Sequence, residues 1–357
     1  MAGGFNSNTQ RYFRPVGTLA YAANQVTSAK LLNIGFLASI NLVLSITFTV
    51  TNGAGSTTIK TGRGKVTGNP TPFDVIKSVR FVNNQNVPIV DTSFWGLYQW
   101  TTTQRTAYNP QSLRNQTGLS SAVFGTPTTS TLANGTYTWR FPIQVPIAQK
   151  PALQSGLILM QNQQTDMRLE VTWGDTANLV TVAGGAALSA ISVSLDVEQE
   201  LFMVPADQQD FPDLGFTHRI IETTQDIVGT GQNDYRPPLT VNDTLVRLIQ
   251  EFVNNGAAMA PTDITNFDTI FSGADYVATR NPYQVLAQNV RENGGNYSPD
   301  GVYTQAFDAA YGFPEIAQER DYIYLGALSD LTFRTNVAPS VAISGAFMRN
   351  IREILST

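Results

Sequence analysis

The stretch IGFLASINLVLSITFTV, at residues 34–50, decides the fold of this chain. Every even-numbered residue in it is apolar, while the odd-numbered residues are mostly small or polar. Because side chains alternate faces along an extended chain, this period of two places all the even-numbered residues on one face. A membrane-spanning helix needs about 20 nearly continuous apolar residues, whereas regularly spaced Ser, Asn and Thr interrupt this stretch. The pattern predicts a long, half-buried β-strand.

A second stretch of the same kind, at 191–204, closes the first half of the chain. Its apolar residues alternate with Ser, Asp and Glu. Four segments between the two stretches also have strand composition: 73–82, 137–147, 156–160 and 167–173. Pro142 and Pro146 cannot donate to a strand ladder, so we expect their segment to be an edge or bulged strand. The number of strands fits an eight-stranded sandwich.

The length of 357 residues is enough for two domains of roughly 150 to 200 residues, each able to bury its own core. Residues 205–215, PADQQDFPDLG, are acidic, contain two prolines and have no periodicity, which predicts a linker. We therefore predict a first sandwich at 17–204 and a second at 216–357. Residues 1–16, rich in Gly, Asn, Ser and Gln, are interpreted as an arm that orders only against a partner.

The second half of the chain repeats the plan of the first. Strands are predicted at 218–228, 244–253, 321–328, 331–335 and 341–347, the last running on to residue 354. A helix is predicted at 282–291, with Asn281 as its N-cap and Gly294 just past its end. A second helix is predicted at 302–311.

Charged residues make up only 14% of the chain, against about 25% in ordinary soluble proteins. Neighbouring molecules can cover such a surface without leaving many charges desolvated and unpaired. The composition suits a subunit of an assembly, and it suits an ordinary polar β protein equally well. The net charge is −5 and no run of Lys or Arg occurs, so direct binding to nucleic acid is disfavoured.

The chain contains no cysteine, which excludes disulfides and thiolate metal sites. Its first residues, MAGGFNSNTQRYFRPVG, lack the apolar core of a signal peptide. Export by the Sec route is therefore not indicated, and we expect synthesis in the cytoplasm.

Side chains that could support catalysis are few. His218 is the only histidine, and a structural role is favoured over a catalytic one. The segment GRGKVT at 62–67 lacks the spacing of a phosphate-binding loop and is interpreted as a solvated hairpin with a basic tip. For Asp207, Asp210 and Asp213 an acidic linker is favoured over a calcium site, because no EF-hand pattern surrounds them. We predict no catalytic residue, no metal site, no cofactor and no enzyme activity.

Four aromatic residues cluster in SFWGLYQW at 93–100, a segment that fits either a strand or a helical turn. Phe94, Trp95, Tyr98 and Trp100 could form a sugar-stacking platform, anchor a protein interface or pack in a core. Core packing is the favoured interpretation. The alternative, a protein interface, makes the same four residues the candidate interface aromatics.

Two successive sandwich halves, long closing strands, elaborate loops and few charges resemble the double jelly-roll major capsid proteins of the tectivirus group. These are tailless phages with a membrane inside an icosahedral shell, in the structural lineage of adenovirus hexon. The resemblance covers the whole chain and is one of pattern and size. It implies an all-β fold of two consecutive eight-stranded jelly rolls with short helices in the long loops.

The resemblance also implies a structural major capsid (coat) protein located in the virion. Three copies would form a homotrimer with a nearly six-sided base, and such trimers would tile an icosahedral shell. The other implied partners are neighbouring capsomers, minor capsid proteins and an internal viral membrane. Arg11, Phe13 and Arg14 would lie toward that membrane, while the long segments 101–136 and 262–320 would build the outer crown and trimer contacts.

The competing interpretation is a tandem jelly-roll carbohydrate-binding or adhesin protein, which would be monomeric and bind glycans through exposed Trp or Tyr. One expectation concerns the opening stretch itself. In a jelly roll the first and last strands lie side by side, so residues 34–50 should pair antiparallel with 191–204. We also expect 34–50 to lie at the edge of its sheet, covered by the second roll or a neighbouring subunit.

Overall fold

The computed structural model describes residues 5, 8–103, 131–149, 155–161, 166–238, 240, 242–272, 275–292, 298–307, 322–328 and 330–357. The chain forms two compact units. The first comprises Met1–Thr61, Val66–Tyr98 and Asn109–Ile220, and the second comprises Gly62–Lys65, Gln99–Tyr108 and Ile221–Thr357. Two short segments from the first half of the sequence thus belong to the second unit. The boundaries drawn at 16, 204 and 215 stay a prediction.

The first unit is built mainly of β-strands. In chain order they are β1 (Arg11–Ala20), β2 (Val26–Lys30), β3 (Phe36–Thr51), β4 (Ser56–Ile59), β5 (Ile76–Val82), β6 (Pro88–Thr92), β7 (Thr131–Leu132), β8 (Gly135–Pro146), β9 (Ile158–Leu159), β10 (Arg168–Trp173), β11 (Val180–Ala183) and β12 (Ala187–Phe202). Helix α1 (Phe94–Thr102) follows β6 along the chain, and its residues from Gln99 onward belong to the second unit. Short 3₁₀ turns lie at Phe73–Val75, Thr176–Asn178 and Gln208–Asp210.

The strands of the first unit pair in antiparallel fashion. One sheet has the order β1-β12-β3-β8, and β9 also pairs with β3. A second run of strands has the order β6-β5-β10-β2, and β11-β4-β7 form a small third sheet. The even-numbered residues of β3, from Phe36 to Val50, are buried, as the period of two predicted.

The predicted pairing of the two long stretches is confirmed. β12 runs antiparallel to β3 from Ala187 opposite Thr51 to Phe202 opposite Phe36. The expected edge position of β3 is wrong, because β8 pairs with its other side along twelve residue pairs. β8 ends this sheet, in agreement with its prolines, and β1 forms the opposite edge.

The N-terminal residues also differ from the expectation. Arg11 begins β1, which pairs with β12 of the same chain and has a bulge between Pro15 and Gly17. The segment from Arg11 onward therefore does not need a second molecule to become ordered. The physical reason is that β3 pairs with one side of β12, and the backbone donors and acceptors on the other side of β12 are satisfied by β1.

The second unit has ten described strands and one helix. The strands are β13 (Thr217–Asp226, whose first residues lie in the first unit), β14 (Gly231–Tyr235), β15 (Asp243–Asn254), β16 (Ala257–Ala258), β17 (Ile264–Phe271), β18 (Asp275–Arg280), β19 (Val302–Ala306), β20 (Ile323–Tyr324), β21 (Leu331–Val337) and β22 (Phe347–Ser356). The helix is α2 (Pro282–Glu292), and 3₁₀ turns lie at Pro261–Asp263 and Leu325–Ala327.

These strands also form antiparallel sheets. One run has the order β16-β15-β22-β13, with β19 and β20 also pairing with β15, and the other has the order β14-β21-β17-β18. Phe252, Phe267 and Tyr303 meet in the core of the unit, with ring centroids 4.8 to 5.9 Å apart. Helix α2 confirms the prediction at 282–291, and the Asn281 carboxamide oxygen accepts from the Tyr283 amide at 2.9 Å.

Three predictions in the second half need correction. The helix expected at 302–311 is strand β19, because Val302–Ala306 pairs with β15 and tertiary pairing overrides local propensity; residues 308–312 and Gly294 lie outside the described part. The last strand begins at Phe347 rather than at 341. Of the predicted strand at 321–328, the described residues 322–328 contain a strand only at Ile323–Tyr324, and a 3₁₀ turn follows it.

Candidate assembly surfaces

The polar face of the sheet β1-β12-β3-β8 is a candidate surface for contact with other molecules. At one end the polar groups are already largely buried within the chain, where Ser39 Oγ donates to Glu200 Oε2 at 2.6 Å and Gln144 Nε2 donates to the same oxygen at 3.2 Å. At the other end, exposed cross-strand hydroxyl pairs join Thr47 to Thr138 at 3.2 Å and Thr49 to Thr136 at 2.9 Å. Because these hydroxyls are uncharged and already paired, a neighbour can cover them with a small desolvation cost.

The edge strand β1 carries the three residues that the resemblance places toward a membrane. Arg11 Nη1 lies 3.2 Å from Glu200 Oε1, and its guanidinium lies 5.2 Å from the centroid of the Phe13 ring. The Arg14 guanidinium lies 5.8 Å from the Tyr12 ring. Phe13 is 44% exposed. Within the described residues no strand pairs with the outer side of β1, so this edge can accept another strand or a polar surface.

Helix α1 carries the four candidate interface aromatics, and the structure buries all of them. Phe94, Trp95, Tyr98 and Trp100 are at most 4% exposed. The Phe73 ring lies 5.8, 4.9 and 4.8 Å from the rings of the first three. This burial agrees with the core-packing interpretation. A glycan platform requires exposed ring faces, and none of these four rings offers one within the single chain.

The other residues singled out from the sequence have structural positions. His218 is fully buried, with its Cβ 2.6 Å from where a Cβ on Gly156 would stand. Asn8 Nδ2 donates to Asp210 Oδ2 at 2.6 Å. The interpretation of 62–67 as a solvated hairpin is wrong for Arg63, which is 9% exposed and belongs to the second unit. Its burial depends on partners about 190 to 290 positions further along, which local sequence does not show.

The described residues lack two kinds of site. No group of three or more His, Asp or Glu side chains in them is arranged to hold a metal ion. No helix among them has the length and apolar character needed to cross a membrane. The predicted crown segments 101–136 and 262–320 lie partly outside the described residues, namely at 104–130, 273–274, 293–297 and 308–320.

Comparison with known proteins gives matches through structure and not through sequence. No family model matches the chain, and no curated protein matches its sequence. The MCP of STIV, Sulfolobus Turreted Icosahedral Virus, is similar with a TM-score of 0.67 at 11% identity, covering 97% of each chain. The PBCV-1 virus capsid gives 0.65 at 13% identity, covering 97% of this chain and 94% of that one. The major capsid protein of bacteriophage PM2 gives 0.54 at 10% identity, covering 97% of each.

The chain has the double jelly-roll fold. The similarity confirms the predicted fold class, since it extends over both units and nearly the whole of each compared chain. At identities of 10% to 13% it shows the fold and leaves residue roles to be argued from this chain. Sequence reasoning missed the edge strand β1, although Arg11 and Pro15 are typical of protected edges.

Proposed function

We propose that this chain is a structural major capsid (coat) protein. The observation that carries the proposal is the full-length similarity to the MCP of STIV and to the major capsid protein of bacteriophage PM2. Because folds are shared between functions, the surface of this chain must also suit the role. The weakly charged composition and the hydroxyl-lined face of the first unit support it, since both favour close contact between subunits.

We further propose that the chain assembles as a homotrimer with a pseudo-hexagonal outline. Two rolls per copy give six rolls per trimer, so threefold symmetry suffices to approximate a hexagon that tiles an icosahedral shell. The other partners in this proposal are neighbouring capsomers and minor capsid proteins, with no direct contact to nucleic acid. Synthesis in the host cytoplasm and location in the virion belong to the same proposal.

The proposed contact with an internal membrane involves strand β1. The Arg11 guanidinium lies 5.2 Å from the exposed Phe13 ring, and the Arg14 guanidinium lies against the Tyr12 ring on the same edge strand. Anionic lipid headgroups attract guanidinium groups, and an exposed ring can enter the interface between headgroups and acyl chains. This part of the proposal rests on three side chains and is tested separately from assembly.

The test of assembly is light scattering on the purified full chain. We expect the mass of a trimer at micromolar concentration, and electron microscopy of particles from the source should show capsomers with a six-sided outline. A chain that remains monomeric at all accessible concentrations would contradict the trimer. A capsid role without trimers would then require particles built from another oligomer.

The test of membrane contact is flotation of the trimer with vesicles rich in anionic lipid. We expect binding that weakens when Arg11 and Arg14 are both changed to Gln and when Phe13 is changed to Ala. Tyr283→Ala is the matched control, because Tyr283 is 57% exposed in α2 of the second unit. Equal binding by all variants would contradict the assignment of β1 to the membrane side.

A further inference from the structure

The second unit contains a buried cluster of four charged side chains, one of which comes from a distant part of the sequence. Glu222, Glu251 and Arg349 lie on β13, β15 and β22. Arg63 lies in the segment Gly62–Lys65, which belongs to this unit although it ends more than 150 residues before Ile221, where the main part of the unit begins. The side chains of Glu251 and Arg349 are fully buried, and those of Arg63 and Glu222 are 8% and 10% exposed.

Arg349 stands at the centre of this cluster. Its Nε lies 2.9 Å from Glu222 Oε1, its Nη1 forms an ion pair with Glu251, and its Nη2 donates to the Gly64 carbonyl oxygen at 2.7 Å. Arg63 Nη1 lies 3.3 Å from Glu251 Oε1 and also donates to the Asp300 carbonyl oxygen. The segment 62–65 therefore supplies both a cation and a carbonyl acceptor.

The backbone of the segment is also tied to the unit. The Arg63 amide donates to the Gly256 carbonyl oxygen at 2.8 Å, in the turn that follows β15. Burial lowers the pKa of Arg63 despite the favourable field of Glu251. For Arg349, burial acts in the same direction, yet Glu251 and Glu222 outweigh it and raise its pKa. Each arginine thus depends on the carboxylates, and the carboxylates depend on both arginines.

The cluster is balanced only when the segment is in place. With Arg63 present, two cations face two carboxylates. Without Arg63, the same buried site holds two carboxylates and one cation, and Arg349 loses the Gly64 acceptor. An uncompensated buried charge is strongly destabilising, by far more than an exposed ion pair contributes.

We propose that residues 62–65 act as a strap whose seating controls the cohesion of β13, β15 and β22. When the strap is seated, the buried charges are balanced and the three strands are held together. When it lifts, the excess negative charge favours opening of the same strands to water. A segment from the first half of the sequence thereby controls whether β13, β15 and β22 stay packed together. This control does not depend on the proposed capsid function.

The first test compares two variants of the full chain by hydrogen exchange and mass spectrometry. Arg63→Met keeps much of the side-chain volume and removes the charge, and we expect amides of β15 and β22 to exchange roughly a hundredfold faster. Lys65→Met is the matched control, because the Lys65 side chain is 42% exposed and forms an ion pair with Asp226, which is also exposed. Equal exchange in the two variants would overturn the proposal.

The second test uses charge balance and works even where Arg63→Met fails to fold. Glu222→Gln alone leaves an excess of positive charge, whereas Arg63→Met with Glu222→Gln restores neutrality. We expect the double variant to exchange more slowly than Arg63→Met, or to recover folded chain where that variant yields none. If the two substitutions accelerate amide exchange additively, Arg63 and Glu222 contribute through packing and not through charge coupling. That result would overturn the proposal.

Discussion

The long strand pair of the first unit and that of the second differ in what covers their two faces. In the first unit, β3 and β12 bury one face, while the other carries hydroxyls and a few acids. In the second unit, β15 and β22 are buried along nearly their whole length on both faces. Charged residues of that pair, among them Arg247, Glu251, Arg349 and Glu353, therefore lie in the interior.

The comparison shows that polar residues in a long strand have two physical meanings. On β3 they alternate with apolar residues and mark a face that water reaches. On β15 and β22 they occur in adjacent pairs, such as Gln250-Glu251 and Arg352-Glu353, on strands that are covered on both faces, where each charge needs a partner. Arg247 Nη1 lies 3.2 Å from Thr103 Oγ1, and Trp100 Nε1 donates to Glu353 Oε2 at 3.2 Å. Both partners come from the segment that begins at Gln99.

The largest effect is expected from the buried face of β3. Phe48→Ala should lower the free energy of unfolding by about 3–5 kcal/mol, because it leaves a cavity beside the Tyr137 and Trp139 rings. Thr47→Ala, one residue away on the opposite face, should change it by at most about 0.5 kcal/mol. Urea denaturation followed by tryptophan fluorescence measures both. Similar losses of unfolding free energy for the two variants would mean that the polar face of β3 is not exposed to solvent.

A smaller effect is expected from the covered polar face of the second unit. Trp100→Phe removes a donor to Glu353, which is 2% exposed, and should cost about 1–3 kcal/mol. Trp173→Phe is the control in the first unit, because that indole donates to the neutral Thr27 hydroxyl at 2.8 Å. We expect the control to cost less in the same denaturation experiment. A larger stability loss for Trp173→Phe than for Trp100→Phe would contradict the idea that hydrogen bonds to buried charges contribute more than those to neutral groups.

The smallest effect is expected where a charge pair of the second unit is half-exposed. The Arg334 guanidinium contacts Asp234 at 2.7 and 3.0 Å and lowers the pKa of that carboxyl against the effect of burial. Asp234→Asn should therefore cost about 0.5–1 kcal/mol at neutral pH.

The pH dependence of this pair follows from the direction of the shift. Because the folded-state pKa of Asp234 is the lower one, its stabilisation is present above the unfolded value of about 3.9 and is lost as pH falls through the folded value. The stability difference between wild type and Asp234→Asn should thus shrink in acid. Thermal melts at several pH values check this, and a difference that grows in acid would contradict the assignment.

The sequence was sufficient for the parts of the fold governed by local periodicity. Strand β3, the edge position of β8 and helix α2 follow from residues within a short window, whereas the pairing of β3 with β12 follows from the resemblance to jelly rolls. Helix α1 was ambiguous because its aromatic residues are buried with no clear alternation. Strand β19 was predicted as a helix because its partner β15 decides its conformation.

The candidate surfaces depended more on long-range contacts. Arg11, Phe13 and Arg14 lie on an edge strand because β1 pairs with the free side of β12. The local sequence around these residues does not show that this side is free. Arg63 looked like a solvated cation because Gly and Lys surround it, and Glu251 and Arg349 are too distant in sequence to correct that interpretation. Buried ion clusters are therefore the feature that a single sequence reveals least.

The pairing of β1 with β12 has a consequence for how the chain is made. Arg11 and Glu200, which form an ion pair across these strands, are 189 residues apart. A ribosome must therefore complete most of the first unit before β1 can find its partner, at a synthesis rate of about 5–20 residues per second. During those seconds the segment RYFRPVGTLA remains an unpaired strand in a crowded cell. Charged residues and proline are features by which edge strands resist pairing with other chains, and this segment carries two arginines and a proline.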